Sequence, residues 1–323
     1  MMTYQEFAQR VEEKLPQHLS GDLHGSAVSL AQKEGNNGQV RTGVSIRPQG
    51  SNVSPMIYLE ECYSSYLKGE NLEQILEQLG ETARDAIPDW NVLQKFQMDQ
   101  YENVKDSITC SIVNKKANGR LLKRVPHKNF EDLSIIYQVE HSVPEGNMLV
   151  KITNQHLEQW NIGKNELHET ALANMQRIKP PVFNRMEDTM MNILDPANEE
   201  QPSNLFEDEE VFRDLSEDKM YVLTNGSNSY GASSILYPGV LDKIGECLQD
   251  DLHILPSSIH ELIILRKRDS LDARELGEMV REINQTQVQP EEVLSDRAYE
   301  YNREARQLSQ LRDSIPKEKE MCR

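Results

Sequence analysis

The stretch from Met220 to Ile283 constrains this chain most, because four elements follow one another there in close order. A short apolar run, Tyr221 to Thr224, enters a polar turn of Asn225, Gly226, Ser227, Asn228 and Ser229. Ser229 then opens a helix with Ala232, Ile235, Leu236, Leu241, Ile244 and Leu248 on its apolar face. Pro238–Gly239 must kink or split that helix, since proline lacks the amide donor a helix interior needs. Ile259 to Leu265 is apolar on both faces, which predicts a strand inside a sheet, and Leu276, Met279, Val280 and Ile283 mark a closing helix.

Upstream, Thr3 and Glu6 form a capping box before Phe7, Val11 and Leu15 at helical spacing. Residues 28–31 and 40–46 alternate in polarity around Asn36-Asn37-Gly38, which predicts a β-hairpin with one wet face. Ser54-Pro55 reads as the start of a helix bearing Met56, Leu59, Tyr63 and Tyr66, stopped by Gly69; a second helix capped by Asn71 carries Leu72, Ile75, Leu76 and Leu79, with Pro88 beyond its end. From Ile108 the runs shorten and become β-branched: 108–113, 133–139 and 148–152, the last two joined by a turn with Pro144 and Gly146. Helical spacing returns at 156–160 and at Leu167, Ala171 and Met175, giving a ββα arrangement.

Residues 184–219 shift to acidic and Pro-containing sequence around Glu207-Asp208-Glu209-Glu210, which reads as an excursion from the core. Residues 291–311 read as thinly apolar helix before a charged tail. The expectation is an α+β protein with a mixed, largely antiparallel sheet layered with helices, and an N-terminal helix, hairpin and helix pair. Its regions would be 1–105, a core over 106–290, and a helical C-terminal tail over 291–323.

Charge limits the partners. A net charge of −18 repels phosphate backbones and anionic membranes, and the interrupted basic run from Lys115 to Lys128 has no aromatic platform and acidic residues directly after it, so neither nucleic acid nor membrane is expected. No stretch reaches membrane-spanning length, and the N-terminus has no signal-peptide core. Cys62, Cys110, Cys247 and Cys322 stand far apart, as reduced thiols of a cytoplasmic protein do.

No P-loop, dinucleotide fingerprint or Gly-x-Ser-x-Gly elbow occurs, so no cofactor and no catalytic residue is assigned. His260-Glu261 lacks the second His of a zincin, and no metal site is expected. His260 alternates with Leu262 and Ile264, which predicts a core histidine. Ser257, Ser258 and His260, together with Asn225, Ser227 and Ser229 before a helix whose first amides are free, could instead form a small anion pocket. An N-cap and an Asx turn account for the same residues with fewer assumptions. His127 after Pro126 is the other candidate polar group, and Glu60 with Glu61 is read as a wet helix face.

Specific wording recurs along the chain: Leu236-Tyr237-Pro238-Gly239-Val240-Leu241, Ile254-Leu255-Pro256-Ser257-Ser258-Ile259-His260-Glu261, Asn284-Gln285-Thr286-Gln287-Val288, and Pro290-Glu291-Glu292-Val293-Leu294-Ser295-Asp296. With Arg41-Thr42-Gly43-Val44, Tyr58-Leu59-Glu60-Glu61, Val125-Pro126-His127 and Asn154-Gln155-His156-Leu157, it resembles the bacterial DUF5688 family, whose function is unknown. More distantly, the order of strand, Trp160, Ala-containing helix, Gly231-to-Leu236 segment and Pro256-to-Leu265 strand is similar to the YtpQ-like DUF1444 proteins, which implies a shared α+β fold. Three functions stay open. The first is a non-enzymatic interaction or regulatory protein with a protein partner. The second is a hydrolase or small-anion-binding enzyme using the two polar turns. The third, implied by the genomes such families occupy, is an accessory or anti-defence protein of mobile elements.

Overall fold

A computed structural model describes residues 2–50, 54, 56–85, 98–143, 146–194, 204–207 and 219–312. Pro55, Pro88, Pro144 and Asp208 to Glu210, which carry parts of the reading above, lie outside them. The chain forms two compact units, Met1–Asn103 with Glu140–Leu149, and Val104–Val139 with Val150–Arg323.

In the first unit, helix α1 (Tyr4–Lys14) begins at the predicted capping box, with Glu6 Oε2 accepting the Thr3 N–H at 2.8 Å. Strands β1 (Ala27–Glu34) and β2 (Val40–Arg47) pair antiparallel from Ala27↔Arg47 to Glu34↔Val40. Asn37 and Gly38 take positive φ in the connection, as predicted. The helix expected from Ser54 is corrected: Met56–Tyr58 is a third strand, β3, and helix α2 (Glu60–Leu67) starts later. Gly43 explains the pairing, because a Cβ there would stand 2.4 Å from the Ile57 carbonyl oxygen. Helix α3 (Leu72–Asp85) places Ile75, Leu76, Leu79 and Ala83 on Phe7, Val11, Leu15, Val44 and Ile46, forming one buried apolar core.

Two further sheets, one of four strands and one of six, complete the described β structure. In the first, β6 (Leu133–Val143) lies between β4 (Ile108–Asn114) and β5 (His127–Phe130) and also pairs with β7 (Gly146–Lys151). Helix α4 (Asn154–Trp160) and helix α5 (Lys164–Ile178) follow, and Asn174 on α5 donates to the Ile108 carbonyl at 3.0 Å, tying the helix to β4. Residues 108–113 are all buried, as their unbroken β-branched run requires.

The six-stranded sheet runs β13-β12-β10-β11-β9-β8, with β8 Pro181–Arg185, β9 Met220–Asn225, β10 Leu252–Pro256, β11 Leu262–Arg266, β12 Tyr299–Asn302 and β13 Gln307–Gln310. All its strand pairings are antiparallel. The expected strand over 259–265 is interior but starts only at Leu262. The helical reading of 291–311 is corrected to two strands joined by turns. Tyr299 and Tyr301 are buried while Glu300 and Asn302 are only partly covered, a period of two that Tyr favours in strands.

The excursion over 184–219 is corrected at its beginning. Asn184 is buried in β8 opposite Val222, and helix α6 (Met186–Leu194) follows. An aromatic anchor that charge patterning hides accounts for this: Phe183 stacks on Tyr221 at 5.1 Å and meets Phe206 at 5.6 Å, while the Leu205 N–H reaches the Phe183 carbonyl at 2.8 Å. The continuous helix from Ser229 is also corrected. Tyr230 takes a left-handed φ of 55°, Gly231–Leu236 is a 3-10 segment, and Gly239 at φ 80° starts helix α7 (Val240–Leu248), so Pro238-Gly239 splits the run as expected. Helix α8 (Ala273–Thr286) closes the region behind an Asp272–Glu275 capping box.

Candidate functional site

The two polar turns come together beyond the ends of β9 and β10. The Thr224 hydroxyl donates to the His260 carbonyl at 2.9 Å, and His260 Nδ1 accepts the Tyr230 N–H at 3.2 Å. Gly231 makes this approach possible, since a Cβ there would lie 2.1 Å from Thr224 Oγ1 and 2.4 Å from the His260 carbonyl oxygen.

Within the join the polar groups are engaged by one another. Asn225, fully buried, accepts the Ser227 N–H at 3.0 Å and the Ser227 hydroxyl at 2.9 Å through Oδ1, and donates from Nδ2 to the Ser229 carbonyl at 3.0 Å. This is an Asx turn. The buried Lys179 ammonium donates to the same Ser229 carbonyl at 3.3 Å. Of the helix-opening amides expected to be free, that of Tyr230 donates to His260 Nδ1 and those of Ala232 and Ser233 donate to the carbonyls of Ile259 and Tyr230.

On the other turn, Ser258 Oγ accepts the His260 N–H at 2.9 Å and Ser257 Oγ donates to Glu261 Oε1 at 3.4 Å. That serine bond turns the chain before β11 begins, so His260 is corrected from a core position to a turn. Its side chain is 33% exposed and Nε2 lies 3.5 Å from Glu292 Oε1. His127 belongs to β5 of the other sheet, opposite Ile136, with Nδ1 at 3.1 Å from the Val125 carbonyl. The structure therefore gathers Asn225, Ser227, Ser229, Ser257, Ser258 and His260 into one hydrogen-bonded join and places His127 in a separate element.

A second polar group was not legible in sequence. His253 on β10 stands directly opposite Glu300 on β12. Its Nδ1 contacts Ser270 Oγ, and its Nε2 lies 3.7 Å from Glu300 Oε2. Burial lowers the pKa of His253, Glu300 opposes that shift and Lys267 adds to it. Hydroxyl, imidazole and carboxylate follow in the order of a nucleophile, base and orienting group, but 3.7 Å exceeds hydrogen-bond reach. Glu300 Oε1 is held instead by Lys267 Nζ at 2.7 Å, and the Ser270 hydroxyl has the Lys267 carbonyl within 3.0 Å as a competing acceptor. Seeing this group required the β10–β12 pairing, which a helical reading of 299–302 conceals.

Thiol chemistry finds no support in the described cysteines. Burial pushes the Cys110 thiol up to about 12 and that of Cys247 up to about 11, far from a thiolate at neutral pH. Among the described residues no group of three His, Cys, Asp or Glu is placed to hold a metal ion, and no helix is long and apolar enough to cross a membrane.

The fold defines an α+β protein of helices layered on antiparallel sheets. The chain belongs to DUF5688, a family of unknown function, whose model matches residues 4–303. No curated protein and no solved structure matches it.

Proposed function

We propose that this chain is a non-enzymatic interaction or regulatory protein of the bacterial cytoplasm, and that helix α6 is its docking face. The supporting observation is an apolar stripe turned outward: Met190, Met191 and Leu194 are 54%, 64% and 80% exposed at helical spacing. Methionine side chains adapt to varied apolar partners, and exposed clusters of this kind mark contact surfaces. Glu187 and Asp188 open the same helix, which favours a partner segment that is apolar on one face and basic on its flanks. The engagement of the polar turns by one another also supports a binding role over a hydrolytic one. The cytoplasmic assignment is supported by the cysteines Cys62 and Cys110, which form no disulfide among the described residues.

A photo-crosslinking residue placed at Met191, with a second at the exposed but distant-in-sequence Leu271 as control, tests this in cells. A discrete adduct from position 191 and none from 271 is expected; no adduct at 191, or equal smears from both, contradicts it.

A further inference from the structure

The chain carries a large negative charge, yet one small concavity is lined by four arginines. Arg274, Arg281, Arg297 and Arg312 surround a cavity of about 160 Å³ whose walls are the face of α8 and the chain around β12 and β13. Arg274, Gly277 and Arg281 share that helix face at spacings of three and four residues. Arg297 is fixed by its N–H, which donates to Ser295 Oγ at 2.9 Å, and Leu311, just before Arg312, donates its N–H to the Ala298 carbonyl at 2.9 Å.

The neighbouring carboxylates are engaged. Asp272 and Glu275 form the helix cap, Asp296 accepts from Asn284 at 2.8 Å, and Glu278 pairs with Arg274 at 3.0 Å. Arg281, Arg297 and Arg312 have no ion pair among the described residues. Three permanently charged, planar donors around one cavity make a site for a compact dianion, since guanidinium forks match phosphate oxygens two at a time. At roughly 30 Å³ per water the cavity takes the volume of about five waters, enough for a phosphoryl group and little more.

We infer that this concavity binds the dianionic head of a phosphate or small phosphate monoester. The claim is independent of the docking role of α6. The test is titration calorimetry on the full chain at low ionic strength, with inorganic phosphate, phenyl phosphate and benzoate as probes. Phosphate and phenyl phosphate should bind and benzoate should not; the tighter of the two phosphates identifies free phosphate or a monoester as the source. The double variant R281Q/R297Q should weaken binding by about tenfold or more, since each charged hydrogen bond lost costs at least that factor. R297K, which keeps the charge but loses the fork, should fall between. A variant in the basic run before β5, R120Q/K123Q, should bind like the parent. No heat with either phosphate, benzoate binding equal to phenyl phosphate, or equal losses in the R281Q/R297Q and R120Q/K123Q proteins would overturn the inference.

Discussion

His260 Nδ1 accepts the backbone N–H of Tyr230 at 3.2 Å, while the His260 carbonyl accepts the Thr224 hydroxyl. One residue thus fastens the end of β9 and the segment after it to the segment before β11, by its backbone and its side chain respectively. Truncation to alanine leaves the Tyr230 amide without that acceptor, which costs about 1–2 kcal/mol where the group is only partly covered. Chemical denaturation of H260A should show that loss, with an unchanged denaturant slope; a stability equal to the parent would mean the contact contributes nothing.

Gly231 is the tightest point of the same join. Because its added methyl would collide with Thr224 Oγ1 and the His260 carbonyl, G231A must displace one of the two turns. A loss of about 1–3 kcal/mol is expected, the usual range for overpacking, and a melting temperature within error of the parent would refute the close approach.

Glu60 is corrected from a wet helix face to a connector, while Glu61 is exposed. Its Oε1 accepts the Thr42 N–H at 2.8 Å and the Tyr4 hydroxyl at 3.2 Å; burial and then the Glu60 charge push the Tyr4 phenol up to about 12. In E60A the Thr42 amide loses its acceptor, and a destabilisation of about 1–3 kcal/mol should follow. A spectroscopic titration of Tyr4, with the other tyrosines replaced where tolerated, should also move downward in that variant.

His253 gives stability a pH dependence. Its folded pKa lies below the unfolded one, so on acidification the unfolded chain takes up the proton first. The stability conferred by neutral His253 is intact above about pH 6.5, the usual imidazole value, and declines as pH falls from there through the lowered folded pKa. Glu300 and Asp250 favour the protonated form and limit the decline, while Lys267 increases it. Urea midpoints measured from about pH 7.5 down to about pH 5 should fall more steeply for the parent than for H253Q; parallel curves would remove His253 as the cause.

What the sequence disclosed follows from the range of the forces involved. Local signals were legible: the Thr3–Glu6 cap, the Asn37-Gly38 turn, the β-branched run at 108–113 and the split at Pro238-Gly239 all rest on neighbours within a few positions. Strands β12 and β13 escaped because each is four residues long, too short for periodicity to outweigh the charged residues around them. The Asn225 turn was legible as an Asx turn for the same local reason. The partners of His260 were not, because its contacts to Tyr230 and Thr224 bridge 30 and 36 positions and exist only once β9 and β11 pair. The arginine concavity escaped similarly, its residues being scattered from 274 to 312.

The most direct test of a binding role carried by α6 is partner capture from native lysate by three proteins of equal folded concentration: the parent, M190S/M191S/L194S and H260A. The account predicts that the α6 variant retains the fold, its stability within about 0.5 kcal/mol of the parent as for other exposed positions, but loses the partner by about tenfold or more, as removal of a hot spot does. It predicts that H260A, once corrected for its folded fraction, captures as the parent does. Undiminished capture by the α6 variant, or loss confined to H260A, would contradict it.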